Sequence, residues 1–337
     1  MRPPNTPCPA ASTPFLKGLW YRAYLWALQS MVTYGVGFYR LVRPLPASQR
    51  PALIKRYPVR PKLKNSVFIP PSHKTGELLP LYIDVHGGGF ALCHPYFDDE
   101  FCAHFANTYN ILVVSLDYSK APGFRFPVPV DDLEATIDAV LRDDSLPIDK
   151  NRVAIGGFSA GGNLSLAAVQ APSLQGRIHG VVPWYPVVEW ITPGSEKLSN
   201  REYRSKDEVD MLKTTMPIFN WGYVKAGEEL TNPRLSVCFA DKSVLPKWIF
   251  MVAAQYDILC AEAKEMIMHL ADLDDVARKE GEYGFEKGTY KWRMLRGVTH
   301  GYNQVAAKGA DEEIRLKRIE ESYAEAGEWL FRGPFAK

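Results

Sequence analysis

The 337-residue sequence has no excess of charge of either sign, because 40 Lys and Arg residues stand against 38 Asp and Glu residues, a formal net charge of +2 at pH 7. This balance excludes the strongly basic surface that nucleic-acid-binding domains present. With 46% hydrophobic and 23% charged residues, the composition also excludes bulk disorder and collagen-like or coiled-coil structure. A chain of this length buries about 75% of the surface that it exposes when unfolded, so its core needs no metal or disulfide.

Cysteine is also scarce, and its five positions are scattered: Cys8, Cys93, Cys102, Cys238 and Cys260. An odd number at wide spacing is typical of free thiols in a reducing compartment rather than of a disulfide framework. We therefore expect a cytoplasmic protein, or one that faces the cytosol. The pairs Cys93-His94 and Cys102-x-His104 match none of the usual zinc-ligand spacings, so neither a metal nor a cofactor is predicted.

No apolar run is long enough to be a clear membrane span. Residues 1–14 contain five prolines and are predicted to form a mobile leader. The stretch from Ala23 to Tyr39 carries no charge, but its 17 residues are at the short limit for a span. A cleavable signal peptide is not indicated, because the run starts late and no small-residue cleavage pattern follows it. Residues 15–43 are expected to form either a helical cap segment or a membrane contact on the cytosolic side.

After Pro44 the sequence alternates short apolar runs with amphipathic stretches, which is typical of an α/β protein with a mostly parallel sheet flanked by helices. The predicted strands are Leu81–Val85, Ile111–Leu116, Arg152–Ile155, Ile178–Pro183, Trp248–Ala253 and Lys291–Leu295. Predicted helices cover Val130–Leu141, Ala160–Val169 and an apolar stripe from Leu316 to Leu330. Residues 44–337 are expected to form one domain, interrupted at 190–246 by a polar and aromatic insertion over the sheet edge.

The most specific motif is the G-x-S-x-G pattern around Ser159, which follows a predicted strand and precedes a predicted helix. A serine on so tight a turn takes a strained backbone conformation, and Gly157 and Gly161 let strand and helix pass close together. The first N–H groups of the helix then face an anion that develops at the Ser159 hydroxyl. The pentapeptide alone also fits a glycine-rich turn, but not a phosphate-binding loop, because Asn163 stands where that motif needs Lys.

A second motif, HGGGF at 86–90, follows the predicted strand Leu81–Val85, as the oxyanion-hole element of lipases and esterases does. Its glycines allow the N–H groups of Gly88 and Gly89 to join that of Ala160 around one oxyanion. Each such donor contributes about 2.7–4 kcal/mol to stabilising a transition state. His86 is predicted to hold the loop by hydrogen bonds rather than to exchange protons.

A serine nucleophile needs a histidine and a carboxylate. In chains with this serine motif the order is Ser, then Asp or Glu, then His. Asp257 and His300 each follow a predicted strand, at the carboxyl edge where open α/β sheets place their chemistry. His300 is predicted to take the proton of Ser159, and Asp257 to fix the imidazole tautomer. The rivals belong to a predicted helical segment after Cys260 and are expected to be structural or solvated: Asp272, Asp274, Asp275 and His269.

Five segments together resemble the hormone-sensitive-lipase-like family of α/β-hydrolases, which are carboxylesterases of acyl esters. These segments are HGGGF, LDYSKAP followed by Phe126-Pro127, GFSAGGN, YDILCAEA and THGY, in family order from about Leu81 to Tyr302. The resemblance implies an α/β-hydrolase fold with a helical cap from the N-terminus and an insertion. It also implies a catalytic triad of Ser159, Asp257 and His300. The oxyanion hole that it implies is formed by Gly88, Gly89 and Ala160.

One departure from the family pattern is Phe158, which stands where the family usually has Asp before the serine. It removes a carboxylate beside the nucleophile, which bears on acyl-chain preference more than on the triad. The residues expected to contact the substrate are Phe90, Phe158, Trp184 and Tyr302.

The sequence thus predicts a serine hydrolase that cleaves a small to medium, uncharged or weakly polar carboxylic ester through an acyl-enzyme. Two other functions are compatible with the same residues. One is a biosynthetic enzyme that uses the site for condensation, dehydration or lactone formation. The other is a small-molecule receptor, like the plant gibberellin receptor of the same family, although such a receptor normally lacks one triad residue. A fold alone does not fix the reaction.

Overall fold

The computed structural model describes residues 6–205 and 207–336. Within them, nine strands form one sheet in the order β1-β2-β4-β3-β5-β6-β7-β9-β8. The strands are β1 Leu53–Lys55, β2 Asn65–Phe68, β3 Leu79–Val85, β4 Leu112–Leu116, β5 Ile148–Phe158, β6 Gly180–Trp184, β7 Trp248–Tyr256, β8 Gly284–Lys287 and β9 Tyr290–Thr299. Strands β4, β3, β5, β6, β7 and β9 run parallel. The edge strands β1 and β8, and β2 next to β1, pair antiparallel with their neighbours.

Nine α-helices accompany these strands in the described residues. They are α1 Phe15–Val42, α2 Asp99–Tyr109, α3 Val128–Leu141, α4 Ala160–Ala168, α5 Gly194–Ser199, α6 Met216–Tyr223, α7 Cys260–Leu270, α8 Asp275–Glu280 and α9 Ala310–Arg332. Short 3₁₀ turns lie at Ala47–Gln49, Pro95–Asp98, Pro172–Leu174, Val237–Phe239 and Lys242–Val244. None of the helices in this part of the chain is long and apolar enough to cross a membrane.

The core lies on both faces of the sheet, because successive side chains of a strand point to opposite faces. On β3, Ile83 belongs to the cluster that packs against α3, α4 and α7, while its neighbour Tyr82 belongs to the cluster that packs against α2 and α9. All seven residues of β3 are buried. Central strands covered on both faces read as continuous apolar runs, which is why the sequence indicates them so clearly.

The six predicted strands correspond to β3, β4, β5, β6, β7 and β9, and the predicted α/β architecture is confirmed. Strands β1, β2 and β8 and helices α2, α5 and α6 were not predicted. The three strands have only three or four residues each and lie toward the edges of the sheet, so neither length nor an apolar run marks them.

Helix α1 is bound to the rest of the fold along one side. Tyr21 and Leu25 are buried, and the Tyr21 ring meets the Trp221 ring of α6 edge-on at 5.7 Å. The side-chain amide of Gln29 donates hydrogen bonds to the carbonyl oxygens of Ala91 (2.9 Å) and Ala121 (2.8 Å). These contacts place α1 over the loops that leave the carboxyl edge of the sheet.

The described end of the leader differs from the mobile segment predicted above. Residues 1–5 lie outside the described residues, but Cys8 and Ala10 exchange backbone hydrogen bonds with residues 227–230 at 2.8–3.0 Å. Pro9 and Glu229 form an antiparallel bridge there. Proline prevents a regular helix or strand in this segment, yet its free carbonyl and amide groups still find partners in the insertion.

The connection from β6 to β7 contains α5 and α6 and is tied to α7 by a buried charged cluster. The ammonium group of Lys197 lies 2.9 Å from a carboxylate oxygen of Glu189 and also pairs with Glu262. Glu262 further accepts a hydrogen bond from the backbone N–H of Val188 at 2.8 Å. Burial, partly offset by Lys197, raises the pKa of Glu262 to about 7. This cluster fixes the start of the insertion to the helix that follows Asp257.

Replacing Lys197 with Ala is expected to destabilise the fold by about 3–5 kcal/mol, because two buried carboxylates lose their shared cation. Urea unfolding of the variant and the parent protein measures the difference. The matched control is Lys225→Ala, since Lys225 is exposed on the same insertion and its loss should change stability by less than about 0.5 kcal/mol. Equal stability of the two variants would show that the cluster does not hold the insertion.

Candidate active site

Ser159 lies on the turn between β5, which ends at Phe158, and α4, which begins at Ala160. Its φ of 55° and ψ of −115° are strained for a non-glycine residue, at a cost of about 1–3 kcal/mol. The turn is held by the Ser159 N–H, which donates to the Trp184 carbonyl oxygen at 2.8 Å. A Cβ atom on Gly161 would lie 1.9 Å from the Val85 carbonyl oxygen, so only glycine permits this approach.

The structure brings Ser159, His300 and Asp257 together at the carboxyl edge of the sheet. His300 Nε2 lies 2.9 Å from Ser159 Oγ, and His300 Nδ1 lies 2.7 Å from Asp257 Oδ2. The other Asp257 oxygen accepts a hydrogen bond from the N–H of Leu259 at 2.9 Å. Both Asp257 and His300 are buried. Serine, imidazole and carboxylate therefore stand in the order that proton transfer from the serine hydroxyl requires.

Two opposing effects set the pKa of His300. Burial opposes the charged imidazolium, but the charge and hydrogen bond of Asp257 and the charge of Asp210 outweigh it and raise the pKa above the usual value of histidine. A proton taken from the serine is therefore stabilised on this ring.

Asp210 is a second buried carboxylate at the site, and sequence reasoning did not find it. One of its oxygens accepts a hydrogen bond from the N–H of Ile258, next to Asp257, at 3.1 Å. Arg201 Nε lies 2.7 Å from the same oxygen, and both side chains are almost fully buried. Arg201 also donates to the Tyr256 carbonyl oxygen at 3.0 Å. Both residues lie in the irregular insertion, where no spacing marks a residue as close to the triad.

The loop after β3 places backbone donors near Ser159. Gly88 (φ 110°) and Gly89 (φ 58°) have positive φ, and a Cβ on Gly89 would lie 2.5 Å from the Phe219 ring. The N–H groups of Gly88, Gly89 and Ala160 form no hydrogen bond to another group of residues 6–205 and 207–336. All three residues line the same cavity as Ser159. This arrangement suits an oxyanion, which needs several free N–H donors on one side.

His86 supports this loop from beneath. It is fully buried, its Nδ1 lies 2.7 Å from the Gly87 carbonyl oxygen, and its ring stacks on Tyr118 at 4.4 Å. Burial and the charge of Lys120 lower the pKa of His86 to about 4, despite the hydrogen bond to Asp117. The ring is therefore neutral near pH 7 and acts as a structural element, in agreement with the sequence expectation.

The cavity beside Ser159 and His300 has a volume of about 590 Å³ and an apolar wall. The wall comes from α1 (Leu28 and Val32), from the insertion (Met211, Met216 and Phe219) and from the glycine loop (Phe90). Apart from Phe90, none of these residues was among the expected substrate contacts. They come from three distant segments that only the folded chain brings together.

Three of the four expected substrate contacts lie elsewhere. Phe158, Trp184 and Tyr302 do not line the cavity and are fully buried in the core on the α2 and α9 side of the sheet. The Phe158 ring packs against Phe101 at 4.9 Å and Trp184 at 5.6 Å, and the Tyr302 hydroxyl lies 3.2 Å from Ser322 Oγ. Phe158 thus packs in the core beneath the serine and does not line the acyl pocket.

The rival residues are separated from the site. His269 lies in α7, which ends at Leu270, so the three aspartates after it belong to an exposed turn and α8 rather than to one continuous helix. In the described part of the chain, no group of three His, Cys, Asp or Glu side chains is placed to hold a metal ion.

Comparison with known proteins finds similarity to the α/β-hydrolase family and to esterases. A family model described as the alpha/beta hydrolase fold matches residues 82–288. An arylesterase of Saccharolobus solfataricus is 33% identical over 186 residues, 53% of this chain and 58% of the relative. Carboxylesterase 20 of Arabidopsis thaliana is 35% identical over 136 residues, 36% of this chain and 41% of the relative. The chain thus aligns with about half the length of these curated relatives.

Solved structures agree on the fold. An esterase of Pyrobaculum calidifontis superposes with a TM-score of 0.70 at 23% identity, covering 91% of this chain and 92% of that one. A thermostable carboxylesterase from a metagenomic library, EstE1, also gives a TM-score of 0.70 at 23% identity, covering 91% and 96%.

Asp210→Asn is expected to move the rise of kcat/KM with pH toward lower pH. The carboxylate stabilises the protonated form of His300, so its neutralisation lowers the pKa at which the imidazole becomes available as a base. The measurement is a pH profile of ester hydrolysis for both proteins. Asp241→Asn, an exposed change in the same insertion, is the control and should leave the profile unmoved. A shift toward higher pH in Asp210→Asn would contradict the electrostatic account.

Proposed function

The chain belongs to the α/β-hydrolase family whose model it matches, and from this we propose that it is a serine carboxylesterase of small to medium, uncharged esters. The observation that carries the proposal is the line of contacts Ser159–His300–Asp257, at 2.9 and 2.7 Å, in the wall of an apolar cavity. All three residues needed for acyl transfer are in place, which favours an enzyme over a receptor.

The proposed reaction begins when Ser159 Oγ attacks the ester carbonyl carbon and gives its proton to His300 Nε2. The carbonyl oxygen becomes an oxyanion, which the N–H groups of Gly88, Gly89 and Ala160 stabilise. The C–O bond to the alcohol then breaks, and His300 returns the proton to the leaving alkoxide. Asp257 keeps Nδ1 protonated and stabilises the imidazolium throughout.

The acyl-enzyme is then hydrolysed at the same groups. Water attacks the acyl carbon while His300 Nε2 accepts its proton, and the second oxyanion forms toward the same three donors. Collapse of this intermediate breaks the bond to Ser159 Oγ, which takes the proton back from His300 and releases the carboxylic acid. Ester and water are the only reactants, and no cofactor takes part.

The apolar wall supports an uncharged substrate, because a charged group there would lose its hydration without a partner. A volume of about 590 Å³ lies within the usual range of small-molecule pockets. Leu28 and Val32 contribute to the wall, which supports a cap role for residues 15–43. Scattered free thiols support a cytosolic location.

Ser159→Ala should lower kcat for a p-nitrophenyl ester by about five to six orders of magnitude, because triad members act as a unit. The fold should persist, since the change removes only the hydroxyl oxygen that faces the cavity. Ser173→Ala, an exposed serine on the neighbouring 3₁₀ turn, is the matched control and should retain full activity. A folded Ser159→Ala protein with near-parent kcat would refute the assignment of the nucleophile.

The two other triad roles have separate signatures. Asp257→Asn should lower kcat by about 10⁴ because it favours the wrong imidazole tautomer. His300→Ala should be as damaging as the serine variant, whereas His269→Ala should keep parent activity because His269 lies in α7, away from the cavity. If His269→Ala proves as damaging as His300→Ala in a folded protein, the general base is misassigned.

The double variant Leu28→Ala and Val32→Ala should reduce kcat/KM for a butyrate ester more than for an acetate ester. Each lost CH₂ contact is worth about 0.8 kcal/mol, so the butyrate-to-acetate ratio should fall by about an order of magnitude. Leu41→Ala changes the same helix at an exposed position and serves as the control. An unchanged butyrate-to-acetate ratio of kcat/KM in the double variant would show that α1 does not line the acyl pocket.

A further inference from the structure

Helix α1 exposes an apolar face that the rest of the protein leaves uncovered. Twelve of its large hydrophobic side chains are exposed, and six of them point away from the fold: Leu16, Trp20, Trp26, Tyr34, Phe38 and Leu41. Their exposed fractions run from 57% to 80%. A run of exposed aromatic and aliphatic side chains on one helix is typical of a surface that contacts a protein or a membrane.

The exposed residues form a face because the buried ones recur at helical spacing. Gly18, Tyr21, Leu25, Leu28 and Val32 are the positions turned toward the protein, three or four residues apart. The opposite half of the helix carries no charged side chain, since Lys17, Arg22 and Arg40 lie at its borders. This outer face, defined by the six residues named above, has the form of a helix that lies in an interface.

The part of the chain that contains α1 carries basic residues and no acidic ones, which indicates what the outer face contacts. Residues 1–76 contain twelve Lys and Arg residues and no Asp or Glu, so all 38 acidic residues follow this segment. Lys17, Arg22 and Arg43 are exposed at the two ends of α1, whereas Arg40 is paired with Asp99. Lys55 and Arg60 of the same segment are paired with Asp143 and Asp132, away from α1. The exposed charges of Lys17, Arg22 and Arg43, which border the apolar face, complement a surface that is negative outside and apolar beneath.

We propose that the outer face of α1 docks on an anionic lipid bilayer, with the helix lying in the plane of the membrane surface. Its Trp and Tyr side chains suit the headgroup level, and its basic residues meet lipid phosphates and carboxylates. The inner side of the helix stays on the fold, because Tyr21 is buried against it and the Gln29 amide donates to two backbone carbonyls.

Docking in this orientation brings the candidate active site beside the lipid. Leu28 and Val32, on the inner side of α1, line the cavity that contains Ser159, and Met31 both lines this cavity and is 64% exposed. An ester dissolved in the bilayer then has a short apolar path to the serine. This consequence rests on the proposed esterase activity, whereas docking itself does not.

The docking experiment uses the full chain and two kinds of vesicle, one of phosphatidylcholine alone and one of phosphatidylcholine with phosphatidylserine. Co-sedimentation should show binding to the anionic vesicles that weakens as salt is added. The combined variant Trp26→Gln, Tyr34→Gln and Phe38→Gln should lose this binding. Its matched control is Val276→Gln, Leu316→Gln and Phe331→Gln, exposed apolar residues outside α1, which should bind like the parent.

A charge variant tests the electrostatic part separately. Lys17→Gln, Arg22→Gln and Arg43→Gln together should weaken binding to the anionic vesicles about 100-fold, since each basic residue near such a surface contributes about fivefold. The control is the set Lys247→Gln, Lys279→Gln and Lys308→Gln, exposed lysines elsewhere on the chain, which should bind like the parent.

Three results would overturn the proposal: no binding of the full chain to anionic vesicles, equal binding by the α1 apolar variant, or a dimer in solution that this variant alone converts to a monomer. The last result would assign the outer face to a second copy of the chain. Hydrolysis of p-nitrophenyl acetate in vesicle-free buffer is measured on every variant, because none of the changed residues lines the cavity. A full chain that hydrolyses the ester but does not bind the vesicles refutes only the proposed membrane docking. A full chain that binds the vesicles but does not hydrolyse the ester refutes only the proposed esterase activity.

Discussion

The site depends on one close approach, that of the Gly161 backbone to the end of β3. Only a hydrogen atom on Gly161 fits against the carbonyl oxygens of Val85 and His86, at positions where a Cβ atom would lie 1.9 and 2.6 Å away. This contact sets α4 directly behind the glycine loop that leaves β3, so the amides of Gly88 and Ala160 come from two different segments yet face one cavity. The strain at Ser159 is a consequence of the same tight turn, and the packed core beneath it sustains that strain.

Two charged clusters hold the insertion against the part of the sheet that carries Asp257. Lys197 joins the start of the insertion to Glu262 on α7, and Arg201 with Asp210 contacts the backbone at Tyr256 and Ile258. The insertion therefore covers the cavity and also adds charge near the triad. A buried ion pair contributes little net stability, but its geometry is specific, and here that geometry fixes the loop between β7 and α7.

The sequence predicts what local chemistry dictates. The elbow around Ser159 and the glycine loop are contiguous in the chain, and the chain order of motifs places Asp257 and His300 at the ends of strands, so these positions follow from pattern alone. The cavity wall does not, because Leu28 and Phe219 meet only through long-range packing. The expectation for Phe158 was wrong because neighbouring strand residues face opposite sides of the sheet, and its side chain points into the core below.

The most direct test of the central claim is mass spectrometry of the protein after reaction with a fluorophosphonate, which modifies only an activated serine. We expect one adduct per chain, located on the peptide that contains Ser159, and none in the Ser159→Ala variant. His300→Ala should abolish labelling, because the imidazole 2.9 Å from Ser159 Oγ activates the hydroxyl. Labelling of a different serine, or no adduct on a folded protein, would contradict the account.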